Sequence, residues 1–521
     1  MNILKIFFII KEMNNVIVSP HYLSTELGSS VFKKGGNAVD AAIATNLVQG
    51  IVAPETCGIG GDLFALIWIP GKSKPEFLDA SGYAGSLVNL ESIANYKNIP
   101  LNHPFSVTVP GAVAGWTELS DKYGNIPINE ILDIGINLCH EGFELSEELY
   151  GSLVKYTEEL SGQKSGYAFY RDGKPFMPET LIRRPQLGKT LELLKDNGLD
   201  YFYNGEIADE ISMSVNGSIT KGDLSNYKPS WRDPLHVNIY GYDGWTTPPS
   251  TQGYLTLSTL KGFELIDNKE DYLHALIESY RIFAADRDNI TYDYMGKEDI
   301  FNGTDSTYIK DKVTKFDTNK SGKFNFPQPH GGGTAYMNAV DESGLGISLI
   351  QSNFHGIGSR IGVGNYGFFL HNRGCGFNLI QNHPNMLHPG KKPLHTLSPT
   401  IWSKNNELEF IVGTRGGRYQ PQLLAQHILP YILEKNSFEE IVKKPRWSLE
   451  YFGSNTDSEI KFEFIEESVK NSLVNKGHKV IVEDKLVSGY GPISTIYKNK
   501  SGNFIGVPDV RVGTEKAFNN F

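Results

Sequence analysis

Hydrophobic and polar positions follow two rhythms along this chain, and the rhythms trade places several times. After Asn37 the stretch NAVDAAIATNLVQG sets small apolar residues at helical spacing, and Gly35-Gly36 before it stops one helix so that another can begin. Its alanines carry little bulk, which predicts close packing against neighbours. DLFALIWI (62–69) and PEFLDAS (75–81) are short apolar runs of the kind that forms buried strands. Between 111 and 300 the helical period dominates. GAVAGWTELSDKYG, LGKTLELLKDNG and DYLHALIESYRIFAADRD each carry an apolar stripe with polar faces between. YDGWTTPPSTQG reads as an irregular loop. From 305 to 333 the periodicity fades, and DKVTKFDTNKSGKFNFPQPHGGG predicts an exposed, mobile linker. TAYMNAV, the turn DESG and LGISLIQS then predict a β-hairpin. ELEFIVGT and GPISTIYKNKSGNFIGV predict further strands, and QPQLLAQHILPYILE an amphipathic helix. Both halves are α/β, with no internal repeat.

Composition narrows the class. A length of 521 residues allows two to four average domains or one large α/β unit. With 40% hydrophobic and 21% charged residues, the chain is expected to be a soluble globular protein with an ample core. A net charge of −10 carries no basic footprint for nucleic acid. It leaves acidic substrates open, because one arginine can dominate a pocket. Cys57, Cys139 and Cys375 form neither a disulfide framework nor a zinc-type pair. The apolar run Ile3 to Ile10 is too short to span a bilayer and lacks the n-region and cleavage site of a signal peptide. No stable membrane anchor is expected, Met13 is a candidate initiator, and a cytoplasmic location is favoured. His383, His388 and His395 lack the H-E-x-x-H spacing of a zinc site, and GIGGD (58–62) lacks the ending of a phosphate loop. Tight turn packing near a pocket explains GIGGD better. No metal, nucleotide or other cofactor is expected.

The chemistry concentrates at PHGGGTAYMNAVDESG (329–344). A threonine hydroxyl is a weak nucleophile until a base stands beside it. A threonine at a chain terminus brings its own base, the α-amine, but that amine exists only after the preceding bond is cut. Gly331-Gly332-Gly333 can fold back and present the last carbonyl to the Thr334 hydroxyl, because glycine tolerates strained φ values. Gly333–Thr334 is therefore a candidate self-cleavage site.

Longer matches surround it. VSPHYLSTELGSSVFKKGGNAVDAAIATNLVQGIVAPETCGIGGDLFAL, VTVPGAVAGWTELSDKYG, TPPSTQG, AADRD, GTAYMNAVDESG, KPLHTLSPT and GTRGGRYQPQ, in this order, resemble the γ-glutamyltranspeptidase family of N-terminal-nucleophile hydrolases. The resemblance runs from about Val16 to the C-terminus. It implies one four-layer αββα sandwich of the α/β (α+β) class. It also implies cleavage into a large subunit, 1–333, and a small subunit, 334–521, that remain intertwined as a heterodimer, with room for a higher oligomer. Thr334 would attack the amide carbonyl of a small-molecule substrate and form an acyl-enzyme. Ser352 stands where the family has a threonine whose hydroxyl supports the nucleophile. Gly416 and Gly417 match the glycine pair whose N–H groups face the oxyanion.

The sequence departs from the family at the substrate's far end. Ser81 stands in the place of the arginine that holds the α-carboxylate, and His395-Thr396 replaces a serine pair. The positions that hold the α-amino group fall on Phe354 and Gly376, so the family's aspartate is missing and an ammonium there would lack a countercharge. Arg373 and Arg415 are two new cations that suit a carboxylate. The expected substrate is thus a γ-glutamyl compound of the glutathione type, or another carboxylate-bearing acyl amide without a strict demand for an α-amino group. This set resembles the family's divergent branch of oxamate amidohydrolases and cephalosporin-type acylases. The segment from Phe377 to His395 is short, which predicts an open pocket and hydrolysis in excess of transfer. An unprocessed, inactive scaffold remains as a rival from another class.

Overall fold

Two antiparallel sheets, with helices on both outer sides, build the computed structural model, which describes residues 14–267, 269–297, 300–324, 333–450 and 459–520. In chain order the strands of these two sheets are β1 (Val16–Ser19), β2 (Asp62–Trp68), β3 (Glu76–Ala80), β4 (Ser230–Arg232), β5 (Leu235–Ile239) and β6 (Tyr242–Thr246). They continue with β7 (Gly333–Val340), β8 (Gly346–Phe354), β9 (Thr400–Lys404), β10 (Glu407–Thr414), β11 (Ile493–Lys498), β12 (Phe504–Val507) and β13 (Lys516–Asn519). One sheet has the order β13-β1-β7-β8-β2-β3-β4 and the other β12-β11-β10-β9-β6-β5. Each sheet therefore mixes strands from before and after Gly333.

Strand alternation explains the layers. Along β2, Phe64, Leu66 and Trp68 pack toward the second sheet with Tyr336, Ile350, Ile401 and Ile411. Leu63, Ala65 and Ile67 point the other way, into a helical layer. Successive side chains of a strand point to opposite faces, and here both faces are dry. That is why DLFALIWI reads as a continuous apolar run. The first helical layer contains α1 (Ala38–Val52), buried at every residue and laid across β7 and β8. Asn37 caps it by accepting from Val39 N at 2.8 Å, while Asp40 accepts from Asn37 N at 2.9 Å. On the far side, α2 (Tyr254–Leu265), α3 (Tyr272–Ala284) and α4 (Gln420–Glu434) cover the second sheet.

The structure amends two sequence expectations. Tyr242–Thr246, read as loop, is β6, because Tyr242 and Trp245 are buried on opposite faces of the second sheet. Ser306–Val313, read as part of a linker, is a helix that Asp305 caps by accepting from Thr307 N and Tyr308 N, both at 2.9 Å, and Ile309 anchors in the core. The later linker residues 325–332, the apolar run Ile3–Ile10 and Met13 lie outside the described residues. Among the described residues no helix is long and apolar enough to cross a membrane.

The slot between the sheets is expected to dominate stability. Ile350→Ala, at a fully buried position, should cost about 2–5 kcal/mol in chemical denaturation. Met213→Ala, at a residue 64% exposed, should stay within about 0.5 kcal/mol. Equal effects at the two sites would contradict this layering.

Candidate active site

Thr334 sits near the start of β7, directly opposite Ser352 of β8, and Ser352 is in turn opposite Asp62 of β2. Directly opposed residues point to the same side of a sheet. The three side chains therefore form a row at the end of the slot between the sheets, and all three are buried. The pairing register shifts between Gly333 and Thr334, so the bond between them lies at a bulge. A Cβ on Gly333 would lie 2.6 Å from Glu55 O, which only glycine avoids.

Proton counting orders this corner. Ser352 Oγ donates to Gly333 O at 2.6 Å and accepts from Phe354 N at 2.8 Å. A serine hydroxyl has one proton and two lone pairs. Its contact with Thr334 Oγ, 3.1 Å away, is thus one in which the threonine donates. The carbonyl of Gly333 is polarised and the Thr334 hydroxyl is oriented by the same atom.

Gly416 and Gly417 follow β10 and have φ of 120° and 54°, values that favour glycine. Gln252 ties their loop to the His395-Thr396 segment. Its amide donates to Gly417 O at 2.9 Å and to Thr396 O at 3.0 Å. Sequence reasoning passed over Gln252, which lies in TPPSTQG.

Beyond Ser352 the row ends in a buried charged cluster. Arg373 is fully buried, and its Nε donates to Asp62 Oδ2 at 2.8 Å. Its guanidinium lies over the Phe354 ring at 4.2 Å, and Phe354 takes φ of 73°, a rare value for a bulky residue. His371 Nδ1 and His395 Nδ1 approach the same Asp62 oxygen at 3.5 and 3.6 Å. Burial opposes ionisation of Asp62, yet Arg373 and His371 hold its carboxyl well below the usual range. Burial, helped by Arg373, lowers His395 to about 3, so this imidazole is neutral. Several polar atoms of this cluster have no hydrogen-bond partner among the described residues: Arg373 Nη1 and Nη2, Asp62 Oδ1, both His395 nitrogens and Thr396 Oγ1. Asp62 was missed in the sequence, although a charged residue opening a wholly buried strand was the available signal.

Other candidates have different surroundings. Arg415 is engaged by Glu148 through both Nη atoms, at 3.0 and 3.3 Å, and by Gly491 O at 2.7 Å. Ser81 Oγ donates to Asp79, whose carboxylate already pairs with Lys392 and Arg232 at 3.0 and 3.2 Å. A Cβ on Gly376 would lie 2.5 Å from Leu394 O, so the backbone leaves no room for an aspartate there. His383, His388 and His395 are not gathered: His388 is exposed and bonds Pro389 O, whereas His395 is buried against Phe64. His274, Glu278 and His478 do converge elsewhere, but Arg281 pairs with Glu278 and His274 Nδ1 bonds His478 Nε2 at 2.8 Å. That group already holds a buried cation.

The family model described as gamma-glutamyltranspeptidase matches residues 24–518, and the chain belongs to this family. The oxamate amidohydrolase proenzyme of Klebsiella pneumoniae is 30% identical over 520 residues, covering 96% of this chain and 97% of the relative. The glutathione hydrolase-like YwrD proenzyme of Bacillus subtilis is 29% identical over 499 residues, covering 92% of each. The crystal structure of cephalosporin acylase from Bacillus halodurans has a TM-score of 0.89 at 26% identity, covering 97% of this chain and 96% of that one. The αββα sandwich expected from the sequence is thus the N-terminal-nucleophile hydrolase fold, in a family of hydrolases and acyltransferases.

One neighbour of the Gly333–Thr334 junction makes a pH prediction. Burial pushes the Glu55 carboxyl up to about 8, Glu148 adds to the rise, and Glu55 Oε2 has no hydrogen-bond partner among the described residues. Unfolded, this group ionises near about 4.3. Its contribution to folding is therefore full below that pH and is lost as pH climbs toward 8. Glu55→Gln should raise the melting temperature relative to wild type more at about pH 8.5 than at about pH 5. A gain independent of pH, measured by calorimetry, would contradict the buried neutral acid.

Proposed function

We propose that this chain is a self-processing N-terminal-threonine amidohydrolase that cuts itself between Gly333 and Thr334. The products, 1–333 and 334–521, stay intertwined as a heterodimer. The observation that carries this reading is the single hydroxyl of Ser352, which donates to Gly333 O and receives the proton of Thr334 Oγ. Thr334 Oγ adds to the Gly333 carbonyl carbon, and Ser352 supports the growing oxyanion. The C–N bond then breaks, with the threonine proton passing to nitrogen. Water opens the resulting ester, leaving a Gly333 carboxylate and a free α-amine on Thr334.

That amine is the base for later turnovers. It takes the Thr334 hydroxyl proton as Oγ attacks a substrate amide, and returns the proton to the leaving amine. Water then releases the acyl group. The N–H groups of Gly416 and Gly417 serve the oxyanion, and no cofactor enters the cycle. The substrate is an amide whose acyl group ends in a carboxylate. Nη1 and Nη2 of Arg373, buried and without a hydrogen-bond partner among the described residues, support this, since a guanidinium fork fits a carboxylate. His395, Thr396 and Phe354 belong to the same end of the pocket. Arg415, paired with Glu148, serves the rim rather than the acyl carboxylate. Amides of the γ-glutamyl (glutathione) type are the first choice. An oxamate- or glutaryl-type amide is the second, supported by the oxamate amidohydrolase relative and by a serine, not a cation, at position 81.

Wild type should yield a fragment that begins at Thr334, whereas Thr334→Ala should remain one chain near 57.9 kDa by intact mass spectrometry. Two fragments from the alanine variant would refute the mechanism. Ser352→Ala should slow processing about 10²-fold, and Ser352→Thr should process near the wild-type rate. A time course in which both variants mature equally fast would remove Ser352 from the reaction.

A further inference from the structure

We propose that a cleft on the β1 side of Thr334, lined by His21 and four glutamates, is the subsite for the leaving amine, and that it selects leaving groups carrying an ammonium and a neutral oxygen over those carrying a carboxylate. This rests on the reading of Thr334 as the nucleophile, with the acyl group on the Ser352 side.

β1 and β7 are antiparallel neighbours, with Val16 opposite Val340 and Val18 opposite Asn338. The chain leaving β1 after Ser19 therefore heads for the Thr334 end of β7, and His21 follows at once. β13 brings Thr514 to the same end, because Lys516 opposes Ser19 and Thr514 Oγ1 donates to Pro20 O at 2.8 Å. Ser352 lies on β8, across β7 from β1. Thr334 thus has the Ser352–Asp62 row on one side and the His21 end of the sheet on the other. An amide carbonyl carbon carries its acyl chain and its nitrogen on different sides. A substrate whose acyl chain follows the row sends its leaving amine toward His21.

The cleft is a cavity of about 350 Å³, within the range of small-molecule sites. Glu144, Glu147, Glu148 and Glu179 line it, and no lysine or arginine does. Glu148 ties it to the reacting centre, because Arg415, next to Gly416, grips its carboxylate at 3.0 and 3.3 Å. The other three glutamates make no ion pair among the described residues. A cleft lined by one sign of charge concentrates the opposite sign and repels its own. An ammonium is drawn in, and a carboxylate is kept out.

His21 adds an independent mark of a ligand. It is only 3% exposed, yet it lines the cavity. Its Nδ1 accepts from Leu23 N at 3.2 Å, so the ring proton is on Nε2. That N–H has no partner among the described residues. Burial lowers His21 to about 4 although Glu148 opposes the shift, so the ring is neutral and adds no cation to the cleft. A neutral N–H donor suits a hydroxyl or carbonyl oxygen, and the glutamates around it disfavour a carboxylate oxygen there. Among amides with the same acyl group, those whose leaving group ends in a carboxylate are then the poorer substrates.

The test gives the processed wild type γ-glutamyl and glutaryl amides of four amines of similar length: butylamine, 4-aminobutyrate, 1,3-diaminopropane and 1,3-diamino-2-propanol. In whichever acyl series is turned over, kcat/KM for the 1,3-diaminopropane amide should exceed that for the 4-aminobutyrate amide by at least about 10-fold, chiefly through KM, with butylamine between. The hydroxyl of 1,3-diamino-2-propanol should add about 5-fold. Glu147→Gln combined with Glu179→Gln should bring the ratio of diamine to carboxylate toward one. His21→Asn, which keeps a helix-capping acceptor, should erase the gain from the hydroxyl. On wild type, roughly 0.5 M salt should shrink the charge preference, which decides the matter if the double variant does not mature. Equal rates for the diamine and carboxylate amides overturn the selection. So does a preference that survives in the mature double variant or ignores salt. Equal rates that all vanish in Thr334→Ala leave the nucleophile standing while this inference falls. No Thr334-dependent turnover of any of these amides overturns both.

Discussion

The Ser352 hydroxyl has one proton to give, and the geometry around it commits that proton to the carbonyl of Gly333. With Phe354 N in one lone pair, only one remains, and it faces Thr334 Oγ. The Thr334 hydroxyl and the Gly333 carbonyl are thus coupled through a single atom. This holds only while β7 and β8 keep their register, because a slip of one residue would turn Ser352 to the other face. The apolar packing of both sheet faces is what prevents such a slip. The stability of the slot and the chemistry at its end are therefore one constraint.

The charged cluster obeys the same logic at a higher cost. An ion pair as dry as Asp62–Arg373 adds little certain stability, since removing two charges from water can outweigh their attraction. Asp62 and Arg373 are both fully buried, and His395 beside them stays neutral. Among the described residues the cation is hydrogen-bonded through Nε, and Nη1 and Nη2 have no partner. A buried cation so anchored is held in place in advance of any partner. The strained φ of Phe354 fits this picture, because that residue both donates to Ser352 and lies under Arg373.

Local signals carried much of this into view before any coordinates. The helix after Asn37 was legible because its cap and alanine spacing are written within a few residues, and β2 because a run of eight apolar-rich residues has few other uses. The row at Thr334 was legible as chemistry, through the glycines and the hairpin that follow. The strand Tyr242–Thr246 and the helix Ser306–Val313 were not, because each takes its burial from partners distant in sequence. Arg415 illustrates the same limit. Its sequence neighbours say nothing of Glu148, which lies in another part of the chain.

By itself the sequence determined the alternation of helices and strands and the family, and it marked Gly333–Thr334 as a candidate bond, since periodicity, motif order and a glycine–threonine junction are local properties. Only the tertiary structure decided which charges meet. Asp62 and Arg373 are separated by most of the chain, yet opposed strands bring the first beside Ser352, and a short turn carries the second across it. Arg373 and His371 keep the Asp62 carboxyl ionised against its burial, because the worth of a charge depends on the solvent and partners around it, and neither is written in its neighbours.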